Sequence, residues 1–281
     1  MNNLKSKIEN KRSDIITFLV GGESRKIKKN IEFDIDEDVT PFQKAYIKDY
    51  SLREVFSFSD DYGYLIDFEL MDYGYPIGDD YYERNYGNGE LNFYVADYDN
   101  QKCTITLSGS ICADIMSISG EGVAKFLIRG VKKNIFKKLS IHQELILEAE
   151  RLYASNNLKM SFFVYFSALE AVISCHIENY KAKIHKELHY ALEHLSLDEK
   201  LRVVVKELHS GEDISKIQLW SALAEVVKDV KDKRNLIAHA KKTMINEGDI
   251  KLIIFALLLL IGFLEFRAET FNEINRVIFP R

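Results

Sequence analysis

The pattern of apolar and polar positions changes character near residue 140. Before that point, short runs of β-branched and aromatic residues are separated by Asp, Gly and Asn, at residues 14–20, 26–35, 53–58, 64–70, 91–98 and 102–107. Runs of that length and composition predict strands, and Gly21-Gly22-Glu23-Ser24 reads as the loop of a first hairpin. Val123, Leu127, Val131, Ile135 and Leu139 then recur every four residues, the spacing of an apolar helical stripe, interrupted by Gly130. From residue 141 onward the pattern predicts helices only, over 143–156, 158–180, 182–195, 197–209, 214–239 and 251–278. The expected fold is α+β: a β-rich N-terminal domain over 1–120, a basic connecting helix over 121–140, and a helical bundle over 141–281. A chain of 281 residues is near the length at which single cores stop growing, which favours two domains.

Composition adds limits. With 47% hydrophobic and 29% charged residues, global disorder is excluded. Residues 252–264 carry no charge, yet they fall short of the roughly 18–20 needed to span a bilayer. They predict a helix buried on all sides, in a core or in a subunit interface. Cys103, Cys112 and Cys175 are odd in number and widely spaced, as expected of free thiols in a reducing compartment. Residues 15–20 are too short for a signal segment. A cytoplasmic protein without membrane association is expected.

Charge is unevenly distributed. Residues 60–100 hold eleven acidic residues, one basic residue and nine tyrosines. They read either as a solvated acidic loop or as an interaction surface, since tyrosine offers rigid contact area and carboxylates select basic partners. Both readings repel nucleic acid. The expected helix over 121–140 has the opposite balance, with Lys125, Arg129, Lys132, Lys133, Lys137 and Lys138; it is either a solvated face or a holder of phosphates.

The motifs narrow the chemistry. There is no phosphate-cradling P-loop, no G-x-G-x-x-G and no G-x-S-x-G, so nucleotide-dependent phosphoryl transfer and serine hydrolysis have no support. His185 and His189 are four apart, but Lys186 stands where a zinc-protease helix needs glutamate, and no third ligand is spaced to join them. No metal or cofactor is expected. Residues 231–239 remain, placing Arg234, Asn235 and His239 within two turns. On a continuous helix Arg234 and His239 differ by roughly 7.5 Å in rise and 140° in angle, so they flank a substrate, while Asn235 and His239 share a face. Arg202 and His209 form a looser pair of the same kind. The later pair has the adjacent amide, the helix-end position and lysines 228, 231, 233, 241 and 242 around it. The bland alternative is a charged helix terminus in solvent.

A helical bundle whose long helix ends in Arg234-Asn235-Leu236-Ile237-Ala238-His239 resembles the HEPN superfamily, whose R-x(4–6)-H motif often takes the form R-N-x-x-x-H. The stretch from Phe166 through Glu170 to Ile173 is similar to the corresponding helix of Apea-like HEPN domains, and the resemblance covers residues 141–281. It implies a metal-independent endoribonuclease that uses the RNA 2′-hydroxyl as nucleophile and leaves a cyclic phosphate, in phage defence, abortive infection or a toxin–antitoxin pair. His239 would exchange protons, Arg234 would stabilise the phosphorane and Asn235 would orient the phosphate or the imidazole. Lys231, Lys233 and Lys241 would contact RNA. One histidine does not serve both sides of a phosphate easily, so a homodimer through the helical domain is implied, with the run 252–264 as a candidate interface. A phage-derived or antitoxin protein is the partner expected at the N-terminal domain. Lys241 stands where members paired with a nucleotidyltransferase antitoxin carry tyrosine, which argues against control by adenylylation. The alternative within the family is a non-catalytic dimerisation or RNA-binding scaffold.

Overall fold

In a computed structural model, which describes residues 10–35, 48–76, 82–83, 85–86, 89–113, 118–209, 213–239 and 244–279, the chain is α+β. It divides into two units, Gly21–Lys138 and a second made of Met1–Val20 with Leu139–Arg281. The first unit is therefore an insertion within the second.

The inserted unit has two antiparallel four-stranded sheets. In strand order, one holds β1 (Glu23–Ile35), β8 (Ile118–Lys132), β3 (Tyr62–Pro76) and β4 (Tyr82–Glu83). The other holds β2 (Lys48–Ser57), β7 (Thr104–Ala113), β6 (Gly89–Asp99) and β5 (Asn85–Tyr86). Alternate residues of both sheets build one core, with Ile31, Leu65, Phe126 and Ile128 meeting Phe56, Leu91, Phe93 and Ile105. The rings of Phe56 and Phe126 lie 5.4 Å apart at 61°, and those of Tyr73 and Phe93 5.6 Å apart at 76°, the edge-to-face geometry that ring quadrupoles favour.

Two expectations are corrected in this unit. Residues 121–140 are not a connecting helix: they form most of β8, followed by the short helix α2 (Lys133–Phe136). A spacing of four is even, so Val123, Leu127 and Val131 share a strand face as readily as a helical stripe. The intervening Ala124, Phe126 and Ile128, all fully buried, decide for the strand. Gly130 is needed because β3 comes so close that a Cβ there would sit 2.7 Å from the Tyr64 carbonyl oxygen. Lys125 and Arg129 stand in register with Asp72 and Asp67 of β3, and Arg129 Nη1 is 3.3 Å from Asp67 Oδ2. Two members of the basic run are thus met by cross-strand carboxylates. Nor is the acidic, tyrosine-rich segment a loop. Its described residues form β3 to β6, with Tyr62, Tyr64, Tyr73 and Tyr75 buried and Tyr94 and Tyr98 exposed; residues 77–81, 84 and 87–88 lie outside the described residues. Cys103 is buried here too, and that burial pushes its thiol up to about 11, leaving it unreactive.

The helical unit comprises α1 (Arg12–Leu19), α3 (Ile141–Ala154), α4 (Leu158–Lys181), α5 (His189–Glu193), α6 (Leu197–Leu208), α7 (Gln218–Ala238), α8 (Glu247–Leu264) and α9 (Phe271–Ile278). Its centre is α8, where every residue from Ile253 to Leu264 is buried. Helices α4, α7 and α1 lie against it. Its apolar surface is covered within one chain, so it is not available as the subunit interface that the sequence left open. The expected final helix over 251–278 is two helices, because the chain turns at Arg267, with φ 52°, and Thr270 caps α9.

Residues 14–20 were expected as a strand and form α1 instead. Ile15, Ile16, Leu19 and Val20 are buried, a helical spacing, and that burial overrides the β-branched preference. Arg12 fastens the helix: its Nη2 donates to Glu150 Oε1 at 2.8 Å and its guanidinium lies 3.4 Å from the centre of the Tyr153 ring. The buried Tyr165 hydroxyl donates to the same carboxylate.

His142 at the start of α3 and His176 on α4 are both held below the ordinary histidine range, chiefly by burial. Repulsion between them lowers His142 further, whereas Glu207 partly offsets the effect at His176. Glu265 lies 4.0 Å from His142 and is raised by burial.

Two predictions follow from these contacts. Arg12→Ala is expected to lower the unfolding free energy by about 1–3 kcal/mol in urea titrations, because a half-buried carboxylate loses its cation. The two histidines are neutral when folded and take up protons more readily when unfolded. Their share of stability is therefore lost as pH falls through the ordinary histidine value near 6.5. Glu265 has the opposite sign, favouring the folded state at low pH. The His142→Gln, His176→Gln double variant is expected to flatten the fall in urea midpoint between pH 7 and 5; an unchanged slope would contradict the assignment.

Candidate functional site

Helix α7 buries Leu219, Leu223, Val226 and Val230, and beyond Val230 it buries nothing. Its last two turns therefore carry Lys231, Arg234 and Asn235 half-buried and His239 exposed. His239 is the C-cap, its backbone N–H donating to the Asn235 carbonyl at 3.0 Å.

Arg234 is the residue around which the others are arranged. Its Nη1 donates to Asn235 Oδ1 at 3.4 Å, and its Nη2 lies 4.0 Å from Glu170 Oε1 on α4. The guanidinium carbon is 5.7 Å from the Phe163 ring centre and 5.5 Å from that of Phe166, within cation–π range. Its Nε is buried with no hydrogen-bond partner among the described residues. The arginine is thus held in place by long contacts that leave donor capacity unused, and a planar guanidinium with spare donors suits a phosphate oxygen.

The neighbouring lysines are differently placed. Lys231 Nζ donates to Asp198 of α6, and Lys233 Nζ to Asp249 of α8. Asp249 is only 5% exposed, and its other oxygen accepts the Asn246 N–H at 3.1 Å as part of the α8 capping box. The charge of Lys233 is therefore built into the start of α8. Lys241 lies outside the described residues.

The rival pair is split. Arg202 is exposed, whereas His209 is buried and stacks on Phe263 at 4.8 Å. Nor do His185 and His189 share a helix: a 3-10 turn, Lys186–Leu188, separates them, and His189 Nε2 is 2.9 Å from the Lys181 carbonyl oxygen. Among the described residues no group of three His, Cys, Asp or Glu is placed to hold a metal.

Phe166 and Glu170 belong to the stretch that resembles the helix of Apea-like HEPN domains, but nothing in the sequence pattern pairs them, or Phe163, with Arg234. Their signal is the spacing 163, 166 and 170, which puts the two rings and the carboxylate along one side of α4. The chain matches no protein-family model, no curated protein and no solved structure.

Lys233→Met is expected to cost about 1–3 kcal/mol in urea denaturation, since it strips the cation from the buried Asp249 carboxylate. Asp249→Leu in the same chain is expected to recover part of that loss, which a double-mutant cycle measures. Additive losses would mean that Lys233 and Asp249 are not energetically coupled.

Proposed function

We propose that the helical unit is a metal-independent endoribonuclease, acting in phage defence, abortive infection or as the toxin of a toxin–antitoxin pair. The observation that supports this most directly is the state of Arg234, a half-buried cation with an unpartnered Nε, fixed over two rings and one residue from Asn235. In the proposed reaction the RNA 2′-oxygen bonds to phosphorus and the bond from phosphorus to the 5′-oxygen breaks. The 2′-hydroxyl proton goes to a base, and an acid protonates the departing 5′-oxygen. His239, exposed at the helix end, supplies one of these transfers, and an imidazole does so near neutral pH. Arg234 stabilises the phosphorane, and Asn235 orients the phosphate. A second copy of the chain brings the second histidine across a two-fold axis. Since α8 is buried, the surface for that pairing lies elsewhere on the helical unit. In this reading the inserted unit is the regulator, with Tyr94 and Tyr98, 63% and 47% exposed on β6 near Asp97 and Asp99, facing a phage-derived or antitoxin protein.

A second reading, a non-catalytic dimerisation or RNA-binding scaffold, draws support from Lys231 and Lys233, whose ion pairs weaken the positive field near Arg234.

Incubation of the purified chain with end-labelled RNA in EDTA separates the two. The wild type is expected to leave 2′,3′-cyclic phosphate ends. Arg234→Ala is expected to slow cleavage by about 10²–10³ and His239→Ala by about 10²–10⁴. Equal rates in wild type and both variants overturn the assignment, and RNA that is bound but uncut supports the scaffold.

A further inference from the structure

Resting on the proposed action on RNA, we propose that Phe163, with Met160 one turn before it, is a stacking platform for the base next to the phosphate held by Arg234. Helix α4 buries Phe162, Tyr165 and Phe166 almost completely. Phe163 is outside that buried set and half-buried, and Met160 is 45% exposed. The two are three residues apart and so adjoin on the helix surface. Ser167 and Glu170 continue the same side toward the C-terminus, both half-buried. One side of α4 thus offers apolar surface, then a hydroxyl, then a carboxylate, and the Arg234 guanidinium lies 5.7 Å from the Phe163 ring centre and 4.0 Å from the Glu170 carboxylate.

The order of these groups selects the ligand. A phosphate on Arg234 is repelled on the Glu170 side, so the nucleotide it belongs to extends toward Phe163 and Met160. The guanidinium carbon is 5.7 Å from the Phe163 ring centre, which puts the ring within one nucleotide's reach of a phosphate on Arg234. Neither a phenyl ring nor a thioether reads hydrogen-bond patterns, so the platform accepts every base and favours purines for their larger face. Phe163 is thereby a positioning residue, acting on affinity and placement of the RNA while leaving proton transfer to other groups.

The test uses full-length His239→Ala, which keeps RNA intact, and short single-stranded RNAs carrying 2-aminopurine at each position in turn. Fluorescence is expected to be quenched at one position beside the bond that wild type cuts. Phe163→Leu, which keeps apolar volume without the ring, is expected to bind about 5- to 100-fold more weakly and lose that quench, and Phe163→Tyr to retain both. An abasic nucleotide at the same position is expected to weaken binding to the parent by a similar factor and to leave Phe163→Leu unaffected, a comparison that holds whatever the variant does to folding. Equal quench and affinity in parent and Phe163→Leu overturn the platform. Loss of the quench in Phe163→Leu, in a protein whose wild type does not cut RNA, supports the platform and overturns the nuclease. Failure of the parent to bind RNA overturns both.

Discussion

The structure depends on covering α8. A helix buried from Ile253 to Leu264 on every side gains about 1.5–3 kcal/mol for each large apolar side chain that neighbours keep from water, and no single partner helix can surround it. Helices α4 and α7 flank it from the C-terminal half of the chain, and α1 lies against it from the far end of the sequence. That third contact explains the architecture. Because α1 precedes the sheets and α8 follows them, burying one against the other makes the sheet unit an insertion, with chain entering at Gly21 and leaving at Lys138.

The same helix governs the chemistry at its N-terminal end. Asp249 uses one carboxylate oxygen to cap α8 and the other to hold Lys233 of α7. The final turns of α7 are thereby anchored one residue before Arg234. With Lys233 tied to α8, Arg234 is directed to α4, where Phe163, Phe166 and Glu170 receive it. The side chains proposed for catalysis are thus positioned by helix-capping chemistry and an ion pair to a nearly buried carboxylate, and the exposure of His239 follows from the end of the helix that carries it.

Much of this was legible in the sequence, for identifiable reasons. The helical pattern after residue 141 located α4, α6 and α7, and runs of β-branched and aromatic residues between Asp, Gly and Asn located β1, β2, β3, β6 and β7. The uncharged run 252–264 announced a fully buried helix. Arg234, Asn235 and His239 could be picked out because their spacing is set by the helix itself. What failed was whatever distant contacts decide. Residues 14–20 look like a strand until the later helices α3, α8 and α9 are there to cover α1 and bury Ile15 and Leu19. The four-residue spacing over 123–131 fits both periodicities, and only the alternate burial of Phe126 and Ile128 separates them. Lys231 and Lys233 look free because Asp198 and Asp249, their partners, are 33 and 16 residues away in sequence.

The inserted topology also fixes an order of events during synthesis. Helix α1 leaves the ribosome before the sheet unit, but the helices that cover it, α3, α8 and α9, all follow that unit. At roughly 5–20 residues per second, that interval is on the order of ten to fifty seconds. Through all of it the sheet unit can close on its own core, while Ile15, Ile16, Leu19 and Val20 wait for a surface that does not yet exist. A chain terminated between Lys138 and α8 therefore contains the whole sheet unit and an incomplete helical unit. Whatever activity the helical unit carries is withheld until translation has passed α8.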